Sequence, residues 1–147
     1  MKILVFTEGT IIMHKDKKSI GDFSSHVKIR DAPKKIMQWK KHGATIFYMT
    51  SRTKIKEIES IRNVLKRNNF PEGELLYRKK GEEYSDVAER IMPNIVVEDD
   101  CASIGAEEMT YPKIKKSIKS KIKSVVVKEF GGIDHLPDDP TELFKLP

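Results

Sequence analysis

Four short runs of reactive side chains each follow an apolar segment of this sequence. The runs are Thr7-Glu8-Gly9-Thr10, Thr50-Ser51-Arg52, Arg78-Lys79-Lys80 and Glu98-Asp99-Asp100. Hydroxyl groups and cations can hold the oxygens of a phosphate group, whereas carboxylates suit Mg²⁺, a hard cation that prefers oxygen ligands. Together the four runs predict a site for a phosphate group and a metal ion.

The segments that precede these runs have the pattern of buried parallel strands. Strands are predicted at 2–6, 44–49, 74–77, 95–97 and 124–127, because their apolar residues are nearly continuous. Helical spacing predicts helices that begin near Asp31, Thr53, Glu82 and Pro112. In such a βαβ arrangement the carboxyl ends of the strands share one edge of the sheet, and ligands bind there.

The fold class that follows is α/β, with a mostly parallel sheet between helices in a three-layer, Rossmann-like sandwich. No linker or repeat divides the chain, so one domain over residues 1–147 is predicted, with an irregular tail from about 131 to 147. The stretch from Thr10 to Ser25 is predicted to form a hairpin or a flap. The segments between the runs are too short for a sizeable cap domain.

Composition restricts the class of protein. The chain has 147 residues, of which 38% are hydrophobic and 34% are charged, as is usual for a globular protein. No apolar run approaches the roughly 20 residues of a membrane span. The single cysteine, Cys101, excludes an internal disulfide and a multi-cysteine zinc site, and it favours a cytoplasmic location. The net charge of +6 favours anionic ligands.

The order of the four runs resembles the motifs of the haloacid dehalogenase (HAD) superfamily, in its capless, phosphatase-like branch. The resemblance implies that Thr50 and Ser51 bind phosphate and that Lys79 or Lys80 supplies the cation of the site. It also implies that Asp99, with Glu98 and Asp100, holds Mg²⁺. Glu8 takes the place of the second aspartate of the first motif, which acts as acid and base in the family.

The first motif departs from the family at the attacking residue. Phe6 stands where the family has the aspartate that attacks phosphorus, and a phenyl ring can neither attack nor bind Mg²⁺. The affinity for Mg²⁺ should therefore be weakened. The favoured interpretation is a non-catalytic or altered protein that binds a phosphorylated small molecule or a nucleotide.

Two alternatives remain open from the sequence. In the first, the protein is a Mg²⁺-dependent phosphohydrolase in which Glu8 is the general base for a metal-bound water. In the second, which is weaker, it is a basic nucleic-acid-associated protein. This second alternative rests on six lysines between 113 and 123, which more often form a solvated helix face. Cys101 is interpreted as a packing thiol rather than as a thiol of lowered pKa.

Overall fold

Seven strands form in the computed structural model, which describes residues 1–147. In chain order they are β1 (Lys2–Phe6), β2 (Ile12–Met13), β3 (Val27–Lys28), β4 (Thr45–Met49), β5 (Glu74–Leu76), β6 (Ile95–Asp99) and β7 (Lys123–Val127). Five of them make a wholly parallel sheet in the order β5-β4-β1-β6-β7. The strand β1 is central, so the residues that follow it lie at the middle of the sheet edge.

Helices connect the parallel strands. The α-helices are α1 (Ala32–Lys41), α2 (Ile55–Arg67), α3 (Tyr84–Ile91) and α4 (Lys116–Lys119). Short 3₁₀ helices form at Lys17–Ser19, Phe23–Ser25, Ala102–Ile104, Tyr111–Lys113 and Pro140–Lys145. None of these helices has both the length and the apolar character that a membrane crossing needs.

Both faces of the sheet are covered, because side chains alternate along each strand. On one face, Ile3 and Val5 of β1 belong to a core of 23 buried residues that includes Trp39 of α1 and Ile61 of α2. On the other face, Leu4 joins a smaller core of nine buried residues with α3. This arrangement confirms the predicted three-layer, Rossmann-like α/β fold.

The chain after β1 forms the predicted hairpin. The strands β2 and β3 pair antiparallel, with Ile12 opposite Lys28, and two 3₁₀ helices lie between them. At the other end of the chain, the tail predicted to be irregular contains the 3₁₀ helix Pro140–Lys145. It packs on the fold through the buried Leu143, and the Trp39 Nε1–H donates to the carbonyl oxygen of Pro137 at 2.9 Å.

The helix predicted from Pro112 is wrong in its extent. The structure forms only one 3₁₀ turn before the four-residue helix α4, and Ile114 and Lys115 between them have extended backbone. The lysines repel one another within each helical turn, and a short isolated helix is only marginally stable. Ile114 and Ile122 are nevertheless buried against the smaller core, as their apolar character predicts.

Candidate functional site

A cavity of about 280 Å³ opens at the carboxyl edge of the sheet. It lies where the sequence predicted a ligand site, beyond the ends of β1, β4 and β6. The residues that line it and that matter here are Phe6, Glu8, Ser51, Arg52, Arg78, Tyr84, Asp99, Cys101, Glu108 and Glu129. The edge thus brings together side chains that are up to 123 positions apart, between Phe6 and Glu129.

The carboxylate of Glu8 is held by donors from the ends of two neighbouring strands. The Thr50 hydroxyl donates to Glu8 Oε2 at 2.5 Å, and the Ser51 backbone N–H donates to Glu8 Oε1 at 3.0 Å. The Thr7 hydroxyl lies 2.6 Å from the same Oε1. The structure therefore brings together Glu8, Thr50 and Ser51. The Glu8 carboxylate accepts hydrogen bonds from both of the predicted phosphate-binding residues.

Asp99 lies at the end of β6 and reaches the residues that follow β1. Its Oδ1 accepts a 2.7 Å hydrogen bond from the Thr10 hydroxyl, and its Oδ2 accepts a 3.1 Å bond from the Cys101 backbone N–H. Gly9 makes room for the carboxylate, because a Cβ at that position would lie 3.0 Å from Oδ1 and the Gly9 φ is +85°. Asp99 is thus fixed in the cavity wall.

The other two members of the acidic run have structural partners. Glu98 is buried on the opposite face of β6, where its carboxylate accepts hydrogen bonds from the backbone N–H groups of Thr110 and Tyr111 at 2.7 and 2.9 Å. Asp100 accepts from the backbone N–H groups of Ala102 and Glu129. Strand alternation separates Glu98 from Asp99, so the three carboxylates do not share one site.

The arrangement does not fit a preformed Mg²⁺ site. No group of three or more histidine, cysteine, aspartate or glutamate side chains in the chain could hold a metal ion. Both oxygens of Asp99 already accept hydrogen bonds, and Glu98 is directed away from the cavity. Metal binding at Asp99 therefore stays a prediction, and no chemical step is assigned to a metal ion.

Two arginines supply the positive charge of the cavity. The Arg52 guanidinium lies 4.3 Å from the centre of the Phe23 ring, and the Arg78 guanidinium lies 4.2 Å from the centre of the Tyr84 ring. In both arginines the Nε–H is buried and has no hydrogen-bond partner. An unpaired buried donor costs about 1–3 kcal/mol, so an anion that reached these groups would gain that energy.

The predicted cations Lys79 and Lys80 do not line the cavity; Arg78 does. A turn closes immediately after Arg78, with the Glu82 backbone N–H donating to the Lys79 carbonyl oxygen at 2.9 Å, and it carries both lysines to the exposed surface. The sequence contained a signal for this, because Arg52 and Arg78 are the only arginines in the four runs of reactive side chains.

Neither Phe6 nor Cys101 supplies an attacking group to the cavity. The Phe6 ring packs edge-on against Tyr84, with 5.6 Å between ring centres. Burial, together with the nearby carboxylates of Asp99 and Glu98, raises the pKa of the Cys101 thiol to about 12. The thiol is protonated at neutral pH, as expected of a packing thiol, and the thiolate that would attack is absent.

Burial also raises the pKa of the Asp99 carboxyl above its ordinary value of 3.8, although hydrogen bonds from Thr10 and Cys101 oppose the shift. A carboxyl group whose pKa is higher in the folded state than in the unfolded state stabilises the fold when it is protonated. This stabilisation is lost as pH rises through the folded-state pKa. We therefore expect the free energy of unfolding of the wild type to fall relative to that of Asp99→Asn as pH rises.

Urea unfolding of the two proteins between about pH 4 and about pH 7, in buffer with a chelator, measures this difference. The pKa of Glu98 is also raised, mainly by burial and in smaller part by the charge of Asp99, so Asp99→Asn reduces that shift as well and changes the comparison in the same direction. A difference in unfolding free energy that stays constant with pH, or that changes in favour of the wild type, would contradict the environment described for Asp99.

Comparisons with known proteins give fold neighbours only. No protein-family model matches the sequence, and no curated protein matches it. Among solved structures, the chain is similar to one in the Pnkp1/Rnl/Hen1 RNA repair complex, with 10% identity and a TM-score of 0.60 over 87% of this chain. The chain spans only 42% of the length of that neighbour.

Two further neighbours match this chain over nearly their whole length. One is the D,D-heptose 1,7-bisphosphate phosphatase from Burkholderia thailandensis, with 12% identity and a TM-score of 0.54, covering 88% of this chain and 93% of that one. The other is the phosphatase of the same name from B. bronchiseptica, complexed with magnesium and phosphate, with 10% identity and a TM-score of 0.53. It covers 89% of this chain and 94% of that one. These likenesses show that the chain shares the fold of these neighbours.

Proposed function

We propose that this protein binds a phosphate-bearing ligand in the cavity at the sheet edge and does not transfer the phosphoryl group. The observation that carries the proposal is the pair of arginines, Arg52 and Arg78, whose buried Nε–H groups lack partners beside a cavity that has Phe6 at the end of β1. Arginine presents several donors in a planar fork, which suits the oxygens of a phosphate group.

The acidic residues of the cavity define the rest of the ligand. Asp99, Glu108 and Glu129 line the same space as the arginines. Carboxylates accept hydrogen bonds and repel a second anionic group. We therefore expect a small phosphate monoester whose other end carries donors, such as sugar hydroxyls or an amine, rather than a bisphosphate.

Equilibrium binding with arginine variants tests the proposal. The probes are inorganic phosphate, phenyl phosphate and adenosine monophosphate, measured by calorimetry. Hydrogen bonds to charged groups contribute about 1.5–3 kcal/mol, so Arg78→Ala is expected to weaken binding about tenfold and Arg52→Ala/Arg78→Ala about a hundredfold.

The matched control is Lys79→Ala/Lys80→Ala, which removes the same charge from exposed positions beside the cavity. Its affinity should stay within about threefold of the wild type, because salt screens charges that do not touch the ligand. If the lysine variant lost as much affinity as the arginine variant, the cation of the site would be Lys79 or Lys80, and the assignment to Arg78 would be wrong.

A second candidate function is Mg²⁺-dependent phosphate hydrolysis, with Glu8 as general base. It is supported by the fold likeness to a phosphatase complexed with magnesium and phosphate, and by the presence of Glu8 and Asp99 in one cavity. Two observations oppose it. The carboxylates of Glu98, Asp99 and Asp100 do not share one site, and the Glu8 carboxylate is already held by three donors. Turnover of an aryl phosphate by the wild type, with and without Mg²⁺, separates the two candidates.

A further inference from the structure

Three donors converge on the carboxylate of Glu8. They are the Thr50 hydroxyl, the Ser51 backbone N–H and the Thr7 hydroxyl, at 2.5, 3.0 and 2.6 Å from its oxygens. Phe6 and Met49 are in register across β1 and β4, so the residues that follow them lie side by side. A turn in which the Arg52 N–H donates to the Thr50 hydroxyl oxygen directs the hydroxyl hydrogen toward Glu8.

Such a set of donors binds an anion in general. Hydroxyl and backbone N–H groups that point to one place stabilise any group with several negatively charged oxygens, and a carboxylate and a phosphate share this property. Because the Glu8 carboxylate holds these donors, a phosphate group cannot accept from the same hydrogens at the same time. Two of the donors, the Thr50 hydroxyl and the Ser51 N–H, are called the anion cradle here; the Thr7 hydroxyl is left out because its single hydrogen also has the Met49 carbonyl oxygen as an acceptor at 3.1 Å.

The position of Glu8 is not explained by the cations of the cavity. Its carboxylate forms no ion pair with Arg52 or Arg78, although all three residues line the same space. The side chain is half-buried and turns to neutral donors instead. Arg78 therefore has no carboxylate partner, and Arg52 has only the long contact of its Nη1 with Glu57 Oε1 at 3.8 Å, so positive charge remains for another anion.

We infer that Glu8 is a built-in competitor of phosphate: its carboxylate fills the anion cradle, so that a phosphate group enters the cradle only when Glu8 leaves. The inference rests on the proposal that the cavity binds phosphate. It adds that the Thr50 and Ser51 donors are closed to phosphate while Glu8 occupies them. In the wild type the phosphate contacts the arginines alone, and the cradle is an additional, latent anion site.

Removal of the competitor is the test, with inorganic phosphate as the probe in calorimetry. Glu8→Ala is expected to bind phosphate roughly tenfold more tightly than the wild type, because the freed donors gain hydrogen bonds to a charged group. In Glu8→Ala/Thr50→Val the gain should be clearly smaller than in Glu8→Ala, because the valine side chain has the shape of threonine but no hydroxyl to donate, and only the Ser51 N–H of the cradle remains.

The matched control for charge is Glu107→Ala, which removes one negative charge from an exposed position outside the cavity lining and leaves the cradle filled. It should change phosphate affinity by less than about threefold. An equal gain in Glu107→Ala, no gain in Glu8→Ala, or a gain that Thr50→Val leaves undiminished would each overturn the inference.

A second variant covers the case in which Glu8→Ala does not fold. Glu8→Asp keeps the negative charge but has too short a side chain to reach both donors, so it should also bind phosphate more tightly than the wild type; equal affinity would overturn the inference. The failure of this inference is distinguishable from that of the proposed function. Loss of affinity in the arginine variants without a gain in the Glu8 variants would refute only the role of Glu8.

Discussion

Wild-type protein incubated with an aryl phosphate and Mg²⁺ is expected to release phosphate at least about a thousandfold more slowly than the ~10 s⁻¹ of a typical enzyme. The reason is chemical: attack on phosphorus needs an electron pair, and Phe6 at the end of β1 has none to give. Cys101 in the same cavity is held as a thiol because its pKa is raised to about 12, and the Glu8 carboxylate is held by hydrogen bonds from Thr50 and Ser51. With a nitrophenyl phosphate as the aryl phosphate, the measurement is the absorbance of the released nitrophenolate.

Two variants make this result interpretable. Phe6→Asp places a carboxylate at the end of β1, and a rise in phosphate release there would show that the attacking group is what the wild type lacks. Asp99→Asn removes the charge most suited to a metal ligand. Turnover by the wild type that Asp99→Asn abolishes would contradict the proposed binding function and establish Mg²⁺-dependent hydrolysis instead.

Glu98→Ala is expected to lower the free energy of unfolding by about 3 kcal/mol. Glu98 is 2% exposed, and its carboxylate accepts the backbone N–H groups of Thr110 and Tyr111. The variant leaves two donors without partners, each at a cost of about 1–3 kcal/mol when water cannot reach them. Urea unfolding at neutral pH measures the change.

Asp100→Ala is the matched control for this prediction. Asp100 also accepts two backbone N–H groups, those of Ala102 and Glu129, but it is more exposed, so water can replace it and the expected loss is about 1 kcal/mol. If Glu98→Ala kept the stability of the wild type but lost affinity for Mg²⁺, Glu98 would be the metal ligand that the resemblance implies, and the role described for it would be wrong.

The sequence was sufficient to predict the fold and the edge of the sheet where the cavity lies. Continuous apolar runs such as Lys2–Phe6 and 95–97 have few alternatives to a buried parallel strand, and topology then places the residues after them at one edge. The same reasoning failed from Pro112 onward, because apolar spacing alone does not overcome the repulsion among neighbouring lysines.

The contacts within the cavity were harder to predict. Alternation along β6 was a usable signal that Glu98 and Asp99 point to opposite faces, and the sequence interpretation did not apply it. The choice of Arg78 over Lys79 depends on a turn that closes only in the folded chain. The contact of Glu8 with Thr50 and Ser51 depends on a side-chain rotamer, which tertiary packing decides.

The central claim is that Arg52 and Arg78 receive the phosphate group of the ligand. The most direct test is a titration of the wild type with phenyl phosphate, followed by NMR of the arginine Nε–H groups, with phenol as the control. Since both Nε–H groups lack partners, their signals should shift together and saturably with phenyl phosphate, and they should not shift with phenol. Arginine Nε–H signals that stay in place while phenyl phosphate binds would contradict the account. Shifts confined to the side-chain signals of Lys79 and Lys80 would contradict it as well.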